Sequence, residues 1–228
     1  MRKTTLKKIY YALMLLKFGG LKSFFMEVRN QIYSKKIYIG TEMNLDAEIL
    51  PVPSRLEYRL KQASKEDMRE VFQIMALERK LPAVEMLKRK LCYEFGFHNC
   101  YVARITKSNE LCYVIWVMTQ AENDLLNRLY KNRFPKLKEG DILFENRYTF
   151  EKFRGKRIAP SVDVQLCEIA KKNGFKRQIG YISSDNIASL KAAETACHKP
   201  FEQVQISKSL FFIRRKSSTI GIPRITNH

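Results

Sequence analysis

The sequence predicts a mixed α/β (α+β) fold, in which one sheet carries helices on both of its faces. Strand-like and helix-like segments follow each other in the order β-α-α-β-β-(α)-β-α-β-α-β along most of the 228 residues. A strand, a basic glycine turn and a helix come in immediate succession at 145–173, a unit typical of such sheets. The chain is 45% hydrophobic, which is enough to cover a sheet of this size.

Residues 1–40 are predicted to form a basic amphipathic helical segment. Apolar residues recur at helical spacing on both sides of Gly19 and Gly20, and the polar side is supplied by Lys7, Lys8, Lys17, Lys22 and Arg29. The apolar run 9–16 is too short to cross a bilayer, and no small-residue cleavage site follows it. An anionic membrane surface, the rest of the chain or a second copy in a homodimer would each cover the apolar stripe, and the sequence leaves these open.

Residues 41–54, with the stretch ILPVPS, are predicted to be a linker to a main domain over 55–213. This domain opens with the strand-like stretch SRLEYRLKQAS. In the capping box SKED, the side chains of Ser64 and Asp67 satisfy free amides at a helix start. One face of that helix is apolar and consists of Met68, Val71, Phe72 and Met75.

The later elements follow from periodicity and turn residues. A second helix is predicted over 82–95, and NCYVARI and LCYVIWVM are predicted to form a hairpin around TKSNE. The segment 119–138 is predicted to be either a helix or a long excursion from the sheet. The remaining elements are a strand DILFENRYTF, a helix over 159–173, a strand RQIGYIS, a capped helix SDNIASLKAAETA and a strand QISKSLFFI. Residues 214–228 lack periodicity and are predicted to be a flexible basic tail.

The positive charge of the chain favours anionic partners but does not identify which kind. Lys+Arg minus Asp+Glu is 42 − 23 = +19, which attracts anionic lipid, phosphorylated ligands, acidic proteins or nucleic acid. Aromatic residues do not alternate with basic ones as a nucleic-acid platform requires, and this argues against nucleic acid. The five cysteines include no CxxC pair, and the three histidines lack metal-ligand spacing. We therefore expect no metal site and a reducing, cytoplasmic location.

The glycine turn at 154–159 is a candidate pyrophosphate site. A helix start has unpaired amides and a partial positive charge, and Gly155 allows the backbone to approach a ligand closely. Arg154, Lys156 and Arg157 add charge that can pair with phosphate oxygens. Pro160 comes early in the helix, where its missing amide does no harm.

This turn resembles the acyl-CoA-binding motif of the GCN5-related N-acetyltransferase (GNAT) superfamily, which is Gln/Arg-x-x-Gly-x-Gly/Ala between a strand and a helix. Arg154 fills the first position and Ala159 the last, whereas Arg157 stands where the family has glycine. The stretch NIASLKAAE resembles the family's Asn-x-x-Ser/Ala helix, with Asn186 and Ser189 at the matching positions. The resemblance covers roughly 55–213 and implies the GNAT-like acyl-CoA N-acyltransferase fold.

The resemblance also implies a reaction and a set of residues. An amine attacks the thioester of acetyl-CoA or another acyl-CoA, and the base is often a carboxylate on the strand before the glycine turn. Glu145 is the best-placed carboxylate, and Asp141 at the start of that strand is the weaker candidate. The implied donor-binding residues are Tyr148, Thr149, Phe150, Arg154, Gly155, Lys156, Arg157, Ile158, Ala159, Asn186 and Ser189.

The family's usual general acid is missing. Many members have a tyrosine in the second helix, where this chain has Ala193, and Cys197 and His198 replace the usual Gly-Phe pair. His198 and Tyr181 are the candidates to replace that tyrosine.

Three function hypotheses follow. The first is an acyl-CoA-dependent N-acyltransferase on the inner membrane leaflet, with an amino sugar or a lipid-linked intermediate as one acceptor class. The second keeps the fold but takes its donor from an acyl carrier protein, whose acidic surface would meet the basic one. The third is a nucleic-acid-binding protein with a degenerate transferase fold.

Overall fold

An eight-stranded mixed sheet forms the centre of the protein in a computed structural model. The structure describes residues 13, 16, 20–21, 24–26, 28–29, 32–78, 81–130, 133–209 and 212–220. In chain order the strands are β1 (Tyr33–Asn44), β2 (Tyr58–Gln62), β3 (Cys100–Ile105), β4 (Leu111–Thr119), β5 (Asp141–Thr149), β6 (Arg177–Ser183), β7 (Lys199–Ser209) and β8 (Phe212–Thr219).

Helices connect these strands. They are α1 (Lys65–Leu77), α2 (Ala83–Phe95), α3 (Asn123–Tyr130), α4 (Ile158–Lys172) and α5 (Ile187–Thr195), with short 3₁₀ turns at Gln120–Glu122 and Glu151–Phe153. The described residues between 13 and 32 are helical as well, and the part of the predicted N-terminal helix at 1–12 lies outside the described residues.

The strand order across the sheet is β2-β3-β4-β5-β6-β1-β7-β8. β5 and β6 run parallel, and all other neighbours are antiparallel. A mixed sheet flanked by helices is the fold class that the sequence predicts. The capping box also forms as predicted, since the amide of Asp67 donates to Ser64 and the amide of Ser64 donates to Asp67.

Helices cover both faces of the sheet. On one face, a small cavity of about 100 Å³ is lined by Val117 of β4, Phe144 of β5 and Leu166 of α4. Successive side chains of a strand point to opposite faces, so Glu145, which follows Phe144, faces the other layer. In that layer Arg89 of α2 stacks over the Tyr148 ring at 5.1 Å. β4 lies between the two layers and is buried along nearly its whole length.

The prediction of a helical segment to residue 40 and a linker over 41–54 is wrong at 33–44. These residues form β1, which pairs with β6 on one side and with β7 on the other. The physical reason is long-range pairing: β1 joins strands that come more than 130 positions later in the chain. Residues 45–57 lie outside helices and strands, so a connecting segment exists but starts later.

The prediction for the C-terminal end is wrong as well. The stretch QISKSLFFI is not one strand, because β7 ends at Ser209 and an antiparallel β8 follows. Residues 214–219 of the predicted flexible tail belong to β8, and 221–228 lie outside the described residues. β8 is an edge strand with polar residues on both faces, so no apolar period marks it.

Candidate active site

The candidate site lies where the two parallel strands separate. β5 and β6 pair only over 141–143 and 177–179, at their N-terminal ends. Beyond this stretch β5 keeps β4 as its neighbour, and β6 keeps β1. A gap therefore opens between β5 and β6 toward their C-terminal ends, which is where ligands bind in many α/β sheets.

A β-bulge interrupts β5 beside this gap. Trp116 of β4 pairs with Glu145, and Val114 pairs with Tyr148, so two residues of β5 stand opposite one of β4. Asn146, the first of the two, has a φ of 55° in the left-handed region, where asparagine is tolerated better than most residues. The bulge changes the direction of β5 immediately after Glu145.

Side chains from two helices hold the bulge in place. Arg89 of α2 donates from Nε to the Asn146 carbonyl oxygen at 3.3 Å. The Asn146 side-chain amide donates to the Tyr130 hydroxyl at 3.3 Å, and that hydroxyl lies 3.5 Å from the Cys92 sulfur. Both helices come from other parts of the chain, and the sequence carries no local signal for these contacts.

Glu145 is partly buried beside the bulge, and its burial raises the pKa of its carboxyl group. The guanidinium groups of Arg133, Arg147 and Arg89 act in the opposite direction and limit the rise. A raised pKa makes this carboxylate a stronger proton acceptor than an exposed glutamate. Asp141, the weaker candidate base, lies at the closed end of the gap and is paired with Arg177 at 3.0 Å.

An aromatic wall adjoins Glu145 on the same face of the sheet. The Tyr130 and Phe134 rings are 4.9 Å apart, and the Phe134 and Tyr181 rings are 5.6 Å apart. Arg133 places its guanidinium 4.4 Å from the centre of the Tyr38 ring. The Arg133 Nε is buried and has no hydrogen-bond partner among the described residues. The segment 119–138 therefore contributes an aromatic and cationic wall beside the candidate base.

The glycine turn presents free backbone amides at the start of α4. Residues 154–157 are exposed, and the amides at 155–159 donate no hydrogen bond within the described chain. Gly155 has a φ of 74° and Arg157 one of 58°, which turns the backbone sharply before the helix. The Lys156 carbonyl accepts from the Arg55 amide at 2.9 Å and from the Ser54 hydroxyl at 3.2 Å. The turn is therefore held in place by residues 54–55, while its amides remain free to bind a ligand.

The Arg154 side chain is engaged within the protein rather than extended from the turn. Its guanidinium donates to the Tyr148 hydroxyl at 2.9 Å and to the Thr149 carbonyl at 3.2 Å. The Tyr148 hydroxyl in turn donates to Glu78, which also accepts from the Glu151 amide at 2.7 Å. Arg154 therefore holds the end of β5, and Tyr148 joins that end to Glu78, directly after α1. Glu78 is a residue that sequence reasoning missed, because nothing near it in the chain indicates this contact.

The other predicted donor residues lie on both sides of the gap. Tyr148 and Thr149 are at the end of β5, and the Phe150 amide donates to the Cys112 carbonyl of β4 at 3.1 Å. Asn186 caps α5, because its side-chain oxygen accepts from the Ser189 amide at 3.1 Å. Both helix starts, of α4 after β5 and of α5 after β6, come after the C-terminal ends of the parallel strands.

Neither candidate acid is free to donate as the sequence suggests. The Tyr181 hydroxyl donates to Glu202 at 2.5 Å. His198 is buried, and burial lowers its pKa to about 4, so the imidazole is neutral at pH 7. Tyr38, which sequence reasoning missed, is buried under Arg133, and burial raises the pKa of its hydroxyl. Ala193, the residue at the position of the family's usual tyrosine, is buried.

A buried polar cluster lies on the α4 face behind the site. Asp163 of α4 is fully buried, pairs with Arg147 at 2.5 Å and accepts from the Tyr113 hydroxyl at 3.2 Å. Both ring nitrogens of His198 lack a hydrogen-bond partner among the described residues. The ion pair ties the second bulge residue of β5 to α4, so the cluster supports the position of the strand.

The described residues contain no group of three or more His, Cys, Asp and Glu side chains that could hold a metal ion. Among the same residues, no helix has the length and apolarity needed to cross a bilayer.

Comparisons with solved structures found GCN5-related N-acetyltransferases. The GCN5-related glucosamine N-acetyltransferase region of a fungal multi-domain GH3 β-N-acetylglucosaminidase matches with a TM-score of 0.58 and 11% identity, over 80% of this chain and 22% of that one. The GCN5-related N-acetyltransferase from Sphaerobacter thermophilus matches with a TM-score of 0.52 and 12% identity, over 89% of this chain and 58% of that one. Both likenesses are of fold, and the chain spans less than two thirds of each neighbour's length.

No protein-family model matches the chain, and no curated protein matches it in sequence. The two structural matches extend over 80% and 89% of this chain, and both matched proteins are described as GCN5-related N-acetyltransferases. The protein therefore has the fold of the GCN5-related N-acetyltransferases, as the glycine turn and the Asn-x-x-Ser helix predict.

Proposed function

We propose that the protein is an acyl-CoA-dependent N-acyltransferase, which moves an acetyl or other acyl group from CoA to an amine. One observation carries the proposal: a partly buried carboxylate of raised pKa, Glu145, lies beside the gap between β5 and β6. The free amides at 155–159 follow β5 at the same end of the sheet. A base and an anion-binding turn at one gap are what a phosphate-bearing thioester donor and an amine acceptor require.

The donor would lie along the gap. Its pyrophosphate would accept hydrogen bonds from the amides at 155–159, and Lys156 and Arg157, both exposed, would add charge. Its pantetheine arm would run between β5 and β6. The Asn186 side chain uses its oxygen to cap α5, so its amide nitrogen remains to donate to the arm.

Glu145 would act as the general base. Its carboxylate takes a proton from the acceptor's ammonium group, directly or through water, and the neutral amine attacks the thioester carbonyl carbon. The carbon–nitrogen bond forms, the carbon–sulfur bond breaks, and CoA leaves as a thiolate that takes up a proton. A base in this role contributes about 10²–10⁴-fold to the rate.

Tyr38 is our candidate for the acid that protonates the thiolate. It is close enough to Glu145 for the two charges to interact, and its ring lies under Arg133. Its raised pKa keeps the proton on the hydroxyl at neutral pH, so the group is ready to donate. Tyr181 already donates to Glu202, and His198 is neutral, which leaves Tyr38 as the better-placed group.

The acceptor would enter beside the aromatic wall. Tyr130, which is partly exposed, offers an aromatic surface for a ring, and the partly exposed guanidinium of Arg133, 5.9 Å from the centre of that ring, offers hydrogen-bond donors. An amino sugar fits this combination, because its ring stacks on aromatic faces and its oxygens accept hydrogen bonds. The fungal neighbour with the highest TM-score reported above acts on glucosamine, which agrees with this class.

Isothermal titration with acetyl-CoA, longer acyl-CoAs, an acyl carrier protein and an oligonucleotide tests the donor. We expect acyl-CoA to bind and the double substitution K156E/R157E to weaken binding at least tenfold, since hydrogen bonds to charged groups are worth roughly 1.5–3 kcal/mol. K107E, at an exposed lysine on another turn, is the matched control. Binding of carrier protein alone would replace CoA as donor, and binding of the oligonucleotide alone would refute the proposal.

A further inference from the structure

The helix before β1 exposes an apolar stripe. Leu21, Phe25, Val28 and Ile32 follow the spacing i, i+4, i+7 and i+11, which places them on one side of a helix. All four are exposed, and Phe25 is 64% accessible. Phe24, beside the stripe, packs against the hydrophobic core. The helix is therefore attached to the domain while its stripe faces water.

The stripe continues onto the end of the sheet. The helix ends at Ile32, directly before Tyr33. Tyr33 pairs with Ser209 of β7, and Ser209 pairs with Phe212 of β8. Residues that are directly paired across a sheet point to the same face, so the Tyr33 and Phe212 rings lie on one face. They are 68% and 78% exposed.

Basic side chains accompany these two rings. Lys35 of β1 is two positions after Tyr33, and Arg214 and Lys216 are two and four positions after Phe212, so all share the same face. All three are exposed, and none takes part in an ion pair within the described chain. The sequence has no Asp or Glu over 33–41, 203–209 or 212–219.

We propose that this surface binds the headgroup layer of a bilayer that contains anionic phospholipid. The docking surface consists of the stripe of the helix and the adjoining sheet face, with Leu21, Phe25, Val28, Ile32, Tyr33, Lys35, Phe212, Arg214 and Lys216. Apolar side chains enter the boundary between headgroups and acyl chains, and basic side chains stay beside the phosphates. The proposal concerns attachment and does not depend on the acyltransferase activity.

The charge of this region favours lipid over a second copy of the chain. Residues 1–36 contain nine Lys and Arg and one Asp or Glu, which is 9 − 1 = +8 by sequence. Two copies that meet through this surface would bring together Lys35, Arg214 and Lys216 of each copy, with no acidic residue at 33–41 or 212–219 to offset them, and would repel each other. An anionic bilayer instead neutralises the same charges, and each basic residue near such a surface gains roughly fivefold in affinity.

The test is flotation of the full-length protein with vesicles. Vesicles of phosphatidylcholine alone are compared with vesicles of equal parts phosphatidylcholine and phosphatidylglycerol. We expect flotation only with the anionic vesicles, and a fall in bound fraction as salt is raised. We expect K35Q/K216Q to lower the partition coefficient about thirtyfold, and F25S/F212S to lower it about tenfold or more.

Matched controls separate this surface from general charge and apolarity. L50S/L77S removes two other exposed apolar side chains, and K65Q/K107Q removes two other exposed lysines. Both controls should float like the unchanged protein. The proposal is overturned if the protein ignores anionic vesicles, or if controls and surface variants float equally. It is also overturned if light scattering finds a stable dimer that F25S/F212S dissociates, because a second copy then covers the stripe.

Discussion

Arg157 adopts a backbone conformation that side chains rarely take, with a φ of 58° at the residue before α4. The left-handed region costs most L residues roughly 1–2 kcal/mol. The GNAT motif that this turn resembles has glycine at this position. The Arg157 backbone adopts the left-handed conformation that glycine takes most easily, and its side chain adds an exposed cation to the turn.

Arg133 limits how far burial raises the pKa of the candidate base. Its positive charge lowers the pKa of Glu145, against burial that raises it. We therefore expect R133Q to raise the pKa of Glu145 further. The measurement is an NMR titration of isotope-labelled glutamate, with the Glu145 signal assigned by its loss in E145Q. R128Q, at an exposed arginine of the same segment, should leave the titration unchanged. A lower pKa in R133Q would contradict the arrangement.

His198 makes the stability of the protein depend on pH. Burial lowers its pKa to about 4, so the native state does not bind the proton that the unfolded state binds near pH 6.5. The contribution of His198 to the free energy of unfolding is therefore fully present above pH 6.5 and is lost as the pH falls from 6.5 toward 4. At roughly 1.4 kcal/mol per pKa unit the loss is about 3 kcal/mol.

We expect H198L to lose about 3 kcal/mol less stability than the unchanged protein over this range, because leucine cannot take up the proton. Urea unfolding at pH 7 and pH 4.5 measures the difference. H98L, at an exposed histidine, controls for the loss of a histidine as such. Equal pH dependence in H198L and the unchanged protein would mean that His198 is not held neutral.

Among the elements, β1 is an inner strand that lies between β6 and β7. Gly40 of β1 lies opposite Tyr181 of β6 and opposite Glu202 of β7, and the Tyr181 hydroxyl reaches Glu202 across it. A Cβ at Gly40 would be 2.8 Å from the Glu202 Cγ and 3.0 Å from the Phe201 ring. Glycine is therefore required here, because a side chain would displace the group that bridges three strands.

The position of β1 predicts two different outcomes of truncation. A fragment of residues 33–228 should fold and bind acetyl-CoA, because it keeps all eight strands of the sheet and the helix that it loses exposes its apolar stripe. A fragment of residues 45–228 should not fold, because β6 and β7 lose the strand that pairs with both. Circular dichroism and thermal unfolding distinguish the two. A cooperative transition in the shorter fragment would show that β1 is dispensable.

At the scale of the molecule, donor binding should stabilise the whole domain, since the site joins β5, α4 and α5. A ligand at about one hundred times its dissociation constant adds roughly 2.7 kcal/mol to the free energy of unfolding. We expect acetyl-CoA to raise the melting temperature of both the unchanged protein and E145Q. The rise should be smaller in K156E/R157E, which lacks the cations beside the phosphates. An E145Q variant without any rise would indicate that Glu145 holds the donor rather than the proton.

The docking surface and the candidate site lie at the same end of the sheet. β1 runs antiparallel to β6, so Tyr33 at the start of β1 lies toward the C-terminal end of β6, where the gap opens. Tyr33 and Tyr38 are five residues apart, about 17 Å along an extended strand. This odd spacing puts the two side chains on opposite faces of β1, so the proposed docking surface lies at the same end of the sheet as the gap but on the other face.

Much of the fold could be predicted from the sequence, because the decisive signals are local. The capping box of Ser64 and Asp67, the β3–β4 hairpin and the Asn186 cap each depend on residues a few positions apart. The glycine turn is also local, since a strand, a turn and a helix follow directly on one another. Such contacts are formed by neighbours in the chain, so spacing and residue type are sufficient to identify them.

Only the tertiary structure decided the place of β1, the existence of β8 and the surroundings of Glu145. β1 takes its stability from strands far along the chain, and β8 is defined by pairing with β7 rather than by an apolar period. Glu145 acquires its pKa from burial and from Arg133 and Arg89, which belong to other elements. Strand pairing and charge interactions act through space between distant residues, and no periodicity of a single segment records them.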